Sequence, residues 1–433
     1  MHEPPHLAQF AGRVRGVAHT ANDRVLIVGG GIVGLTIAHA ALRRGLAVEI
    51  LDAATDRHSA SRGNAGQIAP GHPPIPSPAV PPRALHMLLD PRSPLSIPPR
   101  PSLSLLRWLL AFRQACKPTS YEASMRTLGS LGRLSREHFD ELIEDLGAEA
   151  LHTTAGVADI WRTEAGEVAA AAESAWMERL GFATESLSGR ALRARDPAWG
   201  PDVRGAVIHT EGVCLDPADL CDALRNRIKA RGGRITHGCV LDLHRADSQW
   251  HATLHGGQII RGTRLVISAG TWSPPLARML GLHIAMQPAK GYHVTVNMNC
   301  PPVIAGVLRE SKIAVTPMGG LTRIAGTLEL SGVNFRMVPQ RLAQLALSAA
   351  AFLPELTHTP TCSPWCGLRP CTANGLPIIG PIGPQAWIAT GHGMMGVTLA
   401  TGTAALVMQQ MFGDPSPAWG LSLQPKIRHA RGR

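Results

Sequence analysis

RVLIVGGGIVGLTIAHAALRRGLAVEILD, residues 24–52, decides the fold of this chain. RVLIVG (24–29) is an unbroken apolar run, the pattern of a strand covered on both faces of its sheet. Residues 31–44, rich in alanine and leucine, read as a helix that stops at Gly45, and AVEILD (47–52) reads as a second strand. Strand, glycine turn, helix and parallel strand within about 30 residues make a βαβ unit. The turn fits GxGxxG with Gly29, Gly31 and Gly34 as the three glycines. Gly29 makes the tight turn, Gly31 lets a pyrophosphate approach the backbone, and Gly34 lets the helix pack on the strand. Ile32 and Val33 open the helix, whose free N–H groups and dipole favour negative charge. Asp52 ends the second strand, where an acid can hold ribose hydroxyls. The pattern predicts a dinucleotide site and leaves NAD and FAD both open.

Further along, LVISAG (265–270) and WIATGH (387–392) repeat the buried-strand pattern, and 396–412 reads as a late helix. Different material separates these pieces. Twelve prolines between 70 and 101 forbid regular structure and predict a long, rigid excursion between domains. Residues 103–147 carry apolar positions at helical spacing, and 218–231 reads as a helix after the LDP turn at 215–217. Residues 287–297 and 313–330 have strand-like, β-branched character. The interleaving implies an α/β chain with a discontinuous Rossmann-type domain over 22–90, 200–275 and 360–415. An α+β substrate domain on a mixed or antiparallel sheet would take 91–199 and 276–359. Residues 1–21 read as a flexible leader and 416–433 as a basic tail.

The 433 residues leave room for two or three folding units without disulfide staples. With 45% apolar and 17% charged residues, intrinsic disorder is excluded. The longest apolar candidate, LSLLRWLLAF (103–112), is too short to span a bilayer and contains Arg107. The net charge of +11 rests on 37 Arg against 5 Lys, a skew typical of coding bias. The basic residues are scattered and tyrosine occurs only at 121 and 292, so nucleic acid is not an expected partner. Cys362, Cys366 and Cys371 have the wrong gaps for a metal ribbon, and no metal site is expected.

Three further segments choose the cofactor. SASRGNAGQIAPG (59–71) resembles the S-x-NAGQI-x-PG segment of D-amino-acid dehydrogenases, in the D-amino-acid oxidase/glycine oxidase superfamily. CGLRPCTANGLPIIGP (366–381) resembles that superfamily's GLRP-x-TPDGLPIIG stretch, and TGHGMMGVTLATG (390–402) its C-terminal flavin motif. DPRSPLSIPPRPSLSLLRWLLAF (90–112) and QPAKGYHVTV (287–296) are similar to segments of the dehydrogenase branch. The resemblance runs in order over about 24–413 and implies FAD. It implies flavin contacts at Ser61, Asn64, Ala65, Gly66, Gln67 and Ile68, and at Val240 and Gly270. The C-terminal motif adds Gly391, His392, Gly393, Met394, Gly396, Val397 and Thr398. Asn64 to Gln67 are small and polar enough for close backbone approach to a flat ring. The helix after Gly396 could stabilise negative charge at the flavin N1/C2=O edge.

The resemblance implies hydride transfer to flavin N5 from a carbon beside an amine, with a D-amino acid or a D-proline or D-hydroxyproline type imino acid as substrate. An arginine fork for the carboxylate is then the residue to seek. Arg369 occupies the GLRP position that anchors carboxylate in glycine-oxidase relatives, and Arg323 is a second candidate. Tyr292 either lines the pocket or belongs to the core. Asn374 and Ala373 depart from TPDG, and Met394-Met395 stand where some glycine oxidases carry a second arginine. Gly367 falls where covalently flavinylated sarcosine oxidases have cysteine, so non-covalent FAD is expected. Dehydrogenase-like segments favour a quinone or another electron acceptor over oxygen. The alternatives are a glycine/sarcosine-type oxidase and a flavin-binding partner subunit with little activity alone. Location is expected to be cytoplasmic, or peripheral on the inner membrane if residues 103–112 meet a membrane surface rather than the core.

Overall fold

The computed structural model describes residues 23–53, 56–82, 93–147, 152–153, 155–358 and 361–426. The expected leader, part of the proline-rich excursion (83–92) and the end of the basic tail lie outside the described residues.

The opening segment folds as its pattern requires. Strand Arg24–Val28, helix Ile32–Arg43 and strand Ala47–Asp52 form the βαβ unit, with the two strands parallel. Their sheet has six strands in the order Arg234–His237, Ala47–Asp52, Arg24–Val28, Arg264–Ile267, Ala386–Thr390, Ile378–Gly383. All neighbours are parallel except the final pair. Side chains alternate across it. Val25 and Ile27 pack with helices Ile32–Arg43, Pro118–Leu146 and Gly396–Phe412, while Leu26 and Val28 pack under the antiparallel meander Val240–Ala246, Gln249–Leu254 and Ile259–Gly262. Burial on both faces explains the unbroken apolar run.

The second sheet has nine strands and is mixed. Thr361–Thr372 lies at its edge, followed by Met286–Val296, Leu321–Glu329, Ile313–Met318, Ala305–Leu308, Val157–Trp161, Gly205–His209 and Thr184–Ser188. Helix Pro339–Ala350 covers one face through Leu345 and Ala349, which pack with Tyr292, Val294 and Val296. The opposite face looks toward the loop that follows the βαβ unit.

The chain exchanges between the sheets at different points from those the sequence suggests. Strand Thr361–Thr372, expected in the cofactor unit, hydrogen-bonds to Met286–Val296 in the nine-stranded sheet. Gly205–His209 likewise pairs with Val157–Trp161. Helix Pro118–Leu146, expected in the substrate unit, buries Leu128, Leu131, Phe139, Leu142 and Ile143 in the core of the six-stranded sheet. Its register follows from local chemistry. Pro118 starts it after Lys117, so 103–147 is two helices, and left-handed Gly147 (φ 61°) ends it. Within the proline-rich excursion one short strand forms, Leu95–Ser96, which pairs with Leu328 and Glu329. That is a correction to the expectation of no regular structure there; Pro94 precedes the pairing and needs no N–H for it.

Candidate active site

The glycine turn is built as the motif demands. Gly29 has φ 116°, and a Cβ there would lie 2.6 Å from the Ser268 carbonyl oxygen. A Cβ on Gly34 would collide with the Gly29 carbonyl, so helix and strand can approach only without it. Gly31 is different: its added Cβ would meet only Ser61 Oγ, at 3.0 Å, so the space above it is small but open. The helix begins with no acidic residue in its first turn, and Ile32 donates its N–H to Ser61 Oγ at 2.9 Å. Val33 is buried behind it. Asp52 is buried at the end of its strand and accepts from Arg225 Nη2 at 3.1 Å, and its carboxylate fills the space a Gly30 side chain would need. Gly238 N–H donates to the Asp52 carbonyl, bringing Val240 beside this strand end.

The loop through residues 59–68 lies across both sheets. Asn64 Oδ1 accepts from Gly66 N–H at 2.8 Å while its amide nitrogen donates to the Met394 carbonyl at 3.3 Å. Ala65 is half-buried between them. Gln67 donates to the Gly306 and Val315 carbonyls, Thr398 donates to the Gln67 carbonyl, and Ile68 is buried in the core. Three glycines open beside this loop. Gly270 (φ 53°), Gly393 (φ 57°) and Gly396 would each place a Cβ no nearer than 3.9 Å to any neighbour. Gly391 (φ 80°) is tighter, against Thr372. His392 is buried with its ring 2.9 Å from Thr403 Oγ1, and burial pushes its pKa down to about 3. Val397 is buried in the first turn of helix Gly396–Phe412. Half-buried glycine main chain at a helix N-terminus, a second helix N-terminus and a buried acid together fit an elongated, anionic dinucleotide.

Arg369 stands against this cradle. Thr271 donates to the Leu368 carbonyl at 3.2 Å, Gly393 N–H donates to the Pro370 carbonyl at 3.0 Å, and Cys371 bridges to His392. The guanidinium lies over Gly291, whose Cβ would collide with it, and Nη1 donates to the Thr327 carbonyl at 2.6 Å. Thr327 is left-handed (φ 63°), uncommon for a β-branched residue, and sits in a bulge of the strand pairing. Among the described residues Arg369 has no carboxylate partner, and burial lowers its pKa. Arg323 is engaged differently: it donates to the Asn64 carbonyl at 2.6 Å and pairs with Asp216 at 3.5 Å.

Tyr292 points to the other side of the sheet, donating to Glu329 at 2.7 Å beside the buried Lys290–Glu329 ion pair. Alternation along Met286–Val296 separates it from Arg369's face, which carries Gly291 and His293 instead. Gly291 lies directly opposite Gly367, and Trp365 lies over Gly367 and Gly63 and stacks on His293 at 4.8 Å. Sequence reasoning missed His293, Trp365, Thr327 and Arg225. The KGYH segment was a signal for His293; nothing local marks the others.

The model for FAD dependent oxidoreductases (DAO) matches residues 24–410. A D-amino acid dehydrogenase of Phenylobacterium zucineum is 29% identical over 411 residues, 92% of this chain and 96% of that protein. A glycine oxidase from Bacillus cereus superposes with TM-score 0.73 at 20% identity, covering 95% of this chain and 100% of its own. An L-proline dehydrogenase from P. horikoshii gives 0.70 at 16% identity, covering 93% and 97%. With a βαβ cradle suited to a dinucleotide and a match over nearly its whole length, the chain belongs to the FAD-dependent oxidoreductase family and uses FAD.

Proposed function

We propose that this chain oxidises a D-amino acid or a cyclic imino acid of the D-proline or D-hydroxyproline type. When bound, FAD supplies a two-electron acceptor at flavin N5. The substrate's Cα–H bond gives up its hydrogen with both electrons, the nitrogen lone pair closes a C=N bond, and water then hydrolyses an acyclic imine to keto acid and ammonia. The observation that carries this reading is Arg369: a partly buried cation, without a carboxylate of its own among the described residues, held over Gly291 beside the cradle. Its planar fork suits a substrate carboxylate. Gly29, Gly31, Ile32, Val33 and Gly34 would hold the pyrophosphate, and Asp52 and Val240 the adenosine end. Ser61, residues 64–68, Gly270 and residues 391–398 would take the flavin non-covalently. Arg323 fits a positioning role, because its guanidinium is spent on Asn64 and Asp216.

The test is an anaerobic screen of D-amino and imino acids, watching flavin absorbance. Stereoselective bleaching by a D-compound supports the reading. Bleaching by glycine or sarcosine with stoichiometric peroxide in air would replace it with an oxidase, and no bleaching by any amine would favour a partner subunit.

We further propose that electrons leave to a quinone or similar carrier at a membrane surface, the enzyme working from the cytoplasmic side. No helix among the described residues is long and apolar enough to cross a membrane. Helix Leu103–Ala115 buries Leu105 and Trp108 near Cys371, and leaves Leu103, Leu106 and Leu110 72%, 53% and 57% exposed beside Arg107 and Arg113. An apolar stripe with cationic neighbours suits an anionic interface. Leu103, Leu106 and Leu110 changed together to Ser should abolish co-sedimentation with anionic vesicles; binding of the wild type equal to that of the triple variant would sink the idea.

A further inference from the structure

We propose that His293 recognises the substrate's amino group, its Nε2 accepting an N–H hydrogen bond while Arg369 holds the carboxylate. This rests on the amine-oxidising reading above and adds the residue that reads the amine.

The placement follows from the sheet. His293 is two residues from Gly291 on Met286–Val296, so its side chain shares the face over which the Arg369 guanidinium lies. Trp365, its partner across the strand pair, stacks on the imidazole with ring centroids 4.8 Å apart and planes 11° from parallel. Nδ1 lies 3.1 Å from the Gly63 carbonyl oxygen. A carbonyl can only accept, so the proton sits on Nδ1 and Nε2 is left with its lone pair. Nε2 has no hydrogen-bond partner among the described residues, and it is not one of the sealed buried atoms.

The charges around the ring keep it an acceptor. Burial, then Arg323, push the His293 pKa down to about 4 against the opposing pull of the Gly63 carbonyl, and Arg369 adds a smaller push in the same downward direction. The imidazole is therefore neutral at physiological pH. The same two guanidiniums disfavour an ammonium on this face, whereas a neutral amine can donate N–H to Nε2 and keep its own lone pair for the C=N bond. A primary amine and a cyclic secondary amine both satisfy this acceptor. An ether oxygen in the same position presents a lone pair to a lone pair and does not.

The experiment uses the FAD-loaded enzyme and two matched pairs: D-proline with (R)-tetrahydrofuran-2-carboxylate, and D-alanine with propionate. Amine affinities come from the concentration dependence of anaerobic flavin bleaching, and carboxylate affinities from flavin absorbance titration. In the wild type at least one amine should bind more tightly than its partner. His293→Phe keeps a ring to stack on Trp365 and removes both nitrogens; it should weaken that amine about tenfold and leave the matched carboxylate within about twofold. If the Phe variant loses FAD, His293→Asn carries the comparison, since its amide still reaches Gly63 but falls short of the Nε2 position. Equal weakening of amine and carboxylate, unchanged amine affinity, or a wild type that prefers neither amine overturns the proposal. Failure of the Arg369 reading shows separately, as carboxylates that bind Arg369→Ala as well as wild type.

Discussion

The two large sheets meet at one site but present it with different materials. The six-stranded sheet contributes main chain: glycines at 29, 31, 270, 393 and 396 and a helix N-terminus. The nine-stranded sheet contributes side chains: Arg369, Arg323, His293 and Trp365, with Arg369 laid over Gly291 and Trp365 over the facing Gly367. A cofactor common to a family can be held by backbone geometry, which only glycine patterns encode. A substrate must be told from its analogues, which takes particular side chains in a particular order.

The largest expected effect breaks the first half of that contrast. Gly31→Val adds a side chain whose first carbon meets only Ser61 Oγ at 3.0 Å, so the chain can still fold, but the valine fills the space proposed for the pyrophosphate. The purified variant should be colourless, with released FAD about tenfold or more below wild type and an unchanged far-UV spectrum. A yellow variant with full FAD would show that the main chain at this turn does not hold the cofactor.

Next in size are the two arginines, which the contrast separates. Arg369→Ala should keep its FAD and lose about 30-fold to several thousand-fold in kcat/KM, the equivalent of roughly 2–5 kcal/mol. Arg369→Lys should recover only part, because an ammonium cannot make the fork. Arg323→Ala should instead lower FAD retention and Tm, since it releases the Asn64 carbonyl and Asp216. The assignments exchange if Arg323→Ala alone loses kcat/KM with full FAD.

A smaller change probes the floor under the guanidinium. Gly291→Ala would push a methyl group into the Arg369 guanidinium and tilt it off the Thr327 carbonyl. Misplacement on the order of 1 Å should lower kcat/KM by about 10- to 100-fold, with FAD content and Tm near wild type. Wild-type kinetics would mean that the guanidinium has room to adjust.

The same contrast explains what the sequence makes legible. The βαβ unit is contiguous, so its strands, helix and glycines all lie within 24–52, and the structure follows the expected boundaries to within two residues. The cradle at 391–398 is equally local. The proposed substrate face is not. Gly291 meets Gly367 and His293 meets Trp365 only because strands some 70 residues apart pair in one register. Thr327 carries no turn signal, yet a bulge turns its carbonyl toward Arg369. Tyr292 shows the cost of missing register: one residue from His293, it points into the opposite core. VADIW (157–161) hides a strand because Asp159 is buried against His209 and Arg309, partners far along the chain.

The smallest effect concerns the cradle's one buried titratable ring. His392 lies 2.9 Å from Thr403 Oγ1, and burial holds its pKa down to about 3, whereas an unfolded histidine titrates near about 6.5. Between those values the unfolded chain binds a proton that the folded chain refuses. Stability is therefore greatest above about pH 6.5 and falls as the pH drops toward 3, by at most about 1.4 kcal/mol per pH unit for this group. His293, held down to about 4, acts in the same direction, and His209, raised by its hydrogen bond to Asp159 against the pull of burial, acts in the opposite one. A single-site variant isolates the term. His392→Gln keeps an amide able to bond Thr403 and removes the titration, so any cost of substitution is constant with pH. Denaturant unfolding of both proteins at pH 7.5 and 5.5 should find the variant gaining about 1 kcal/mol on the wild type at the lower pH. A stability difference that does not change with pH would mean that His392 takes up its proton in the fold as readily as in the unfolded chain, so that burial does not hold it neutral.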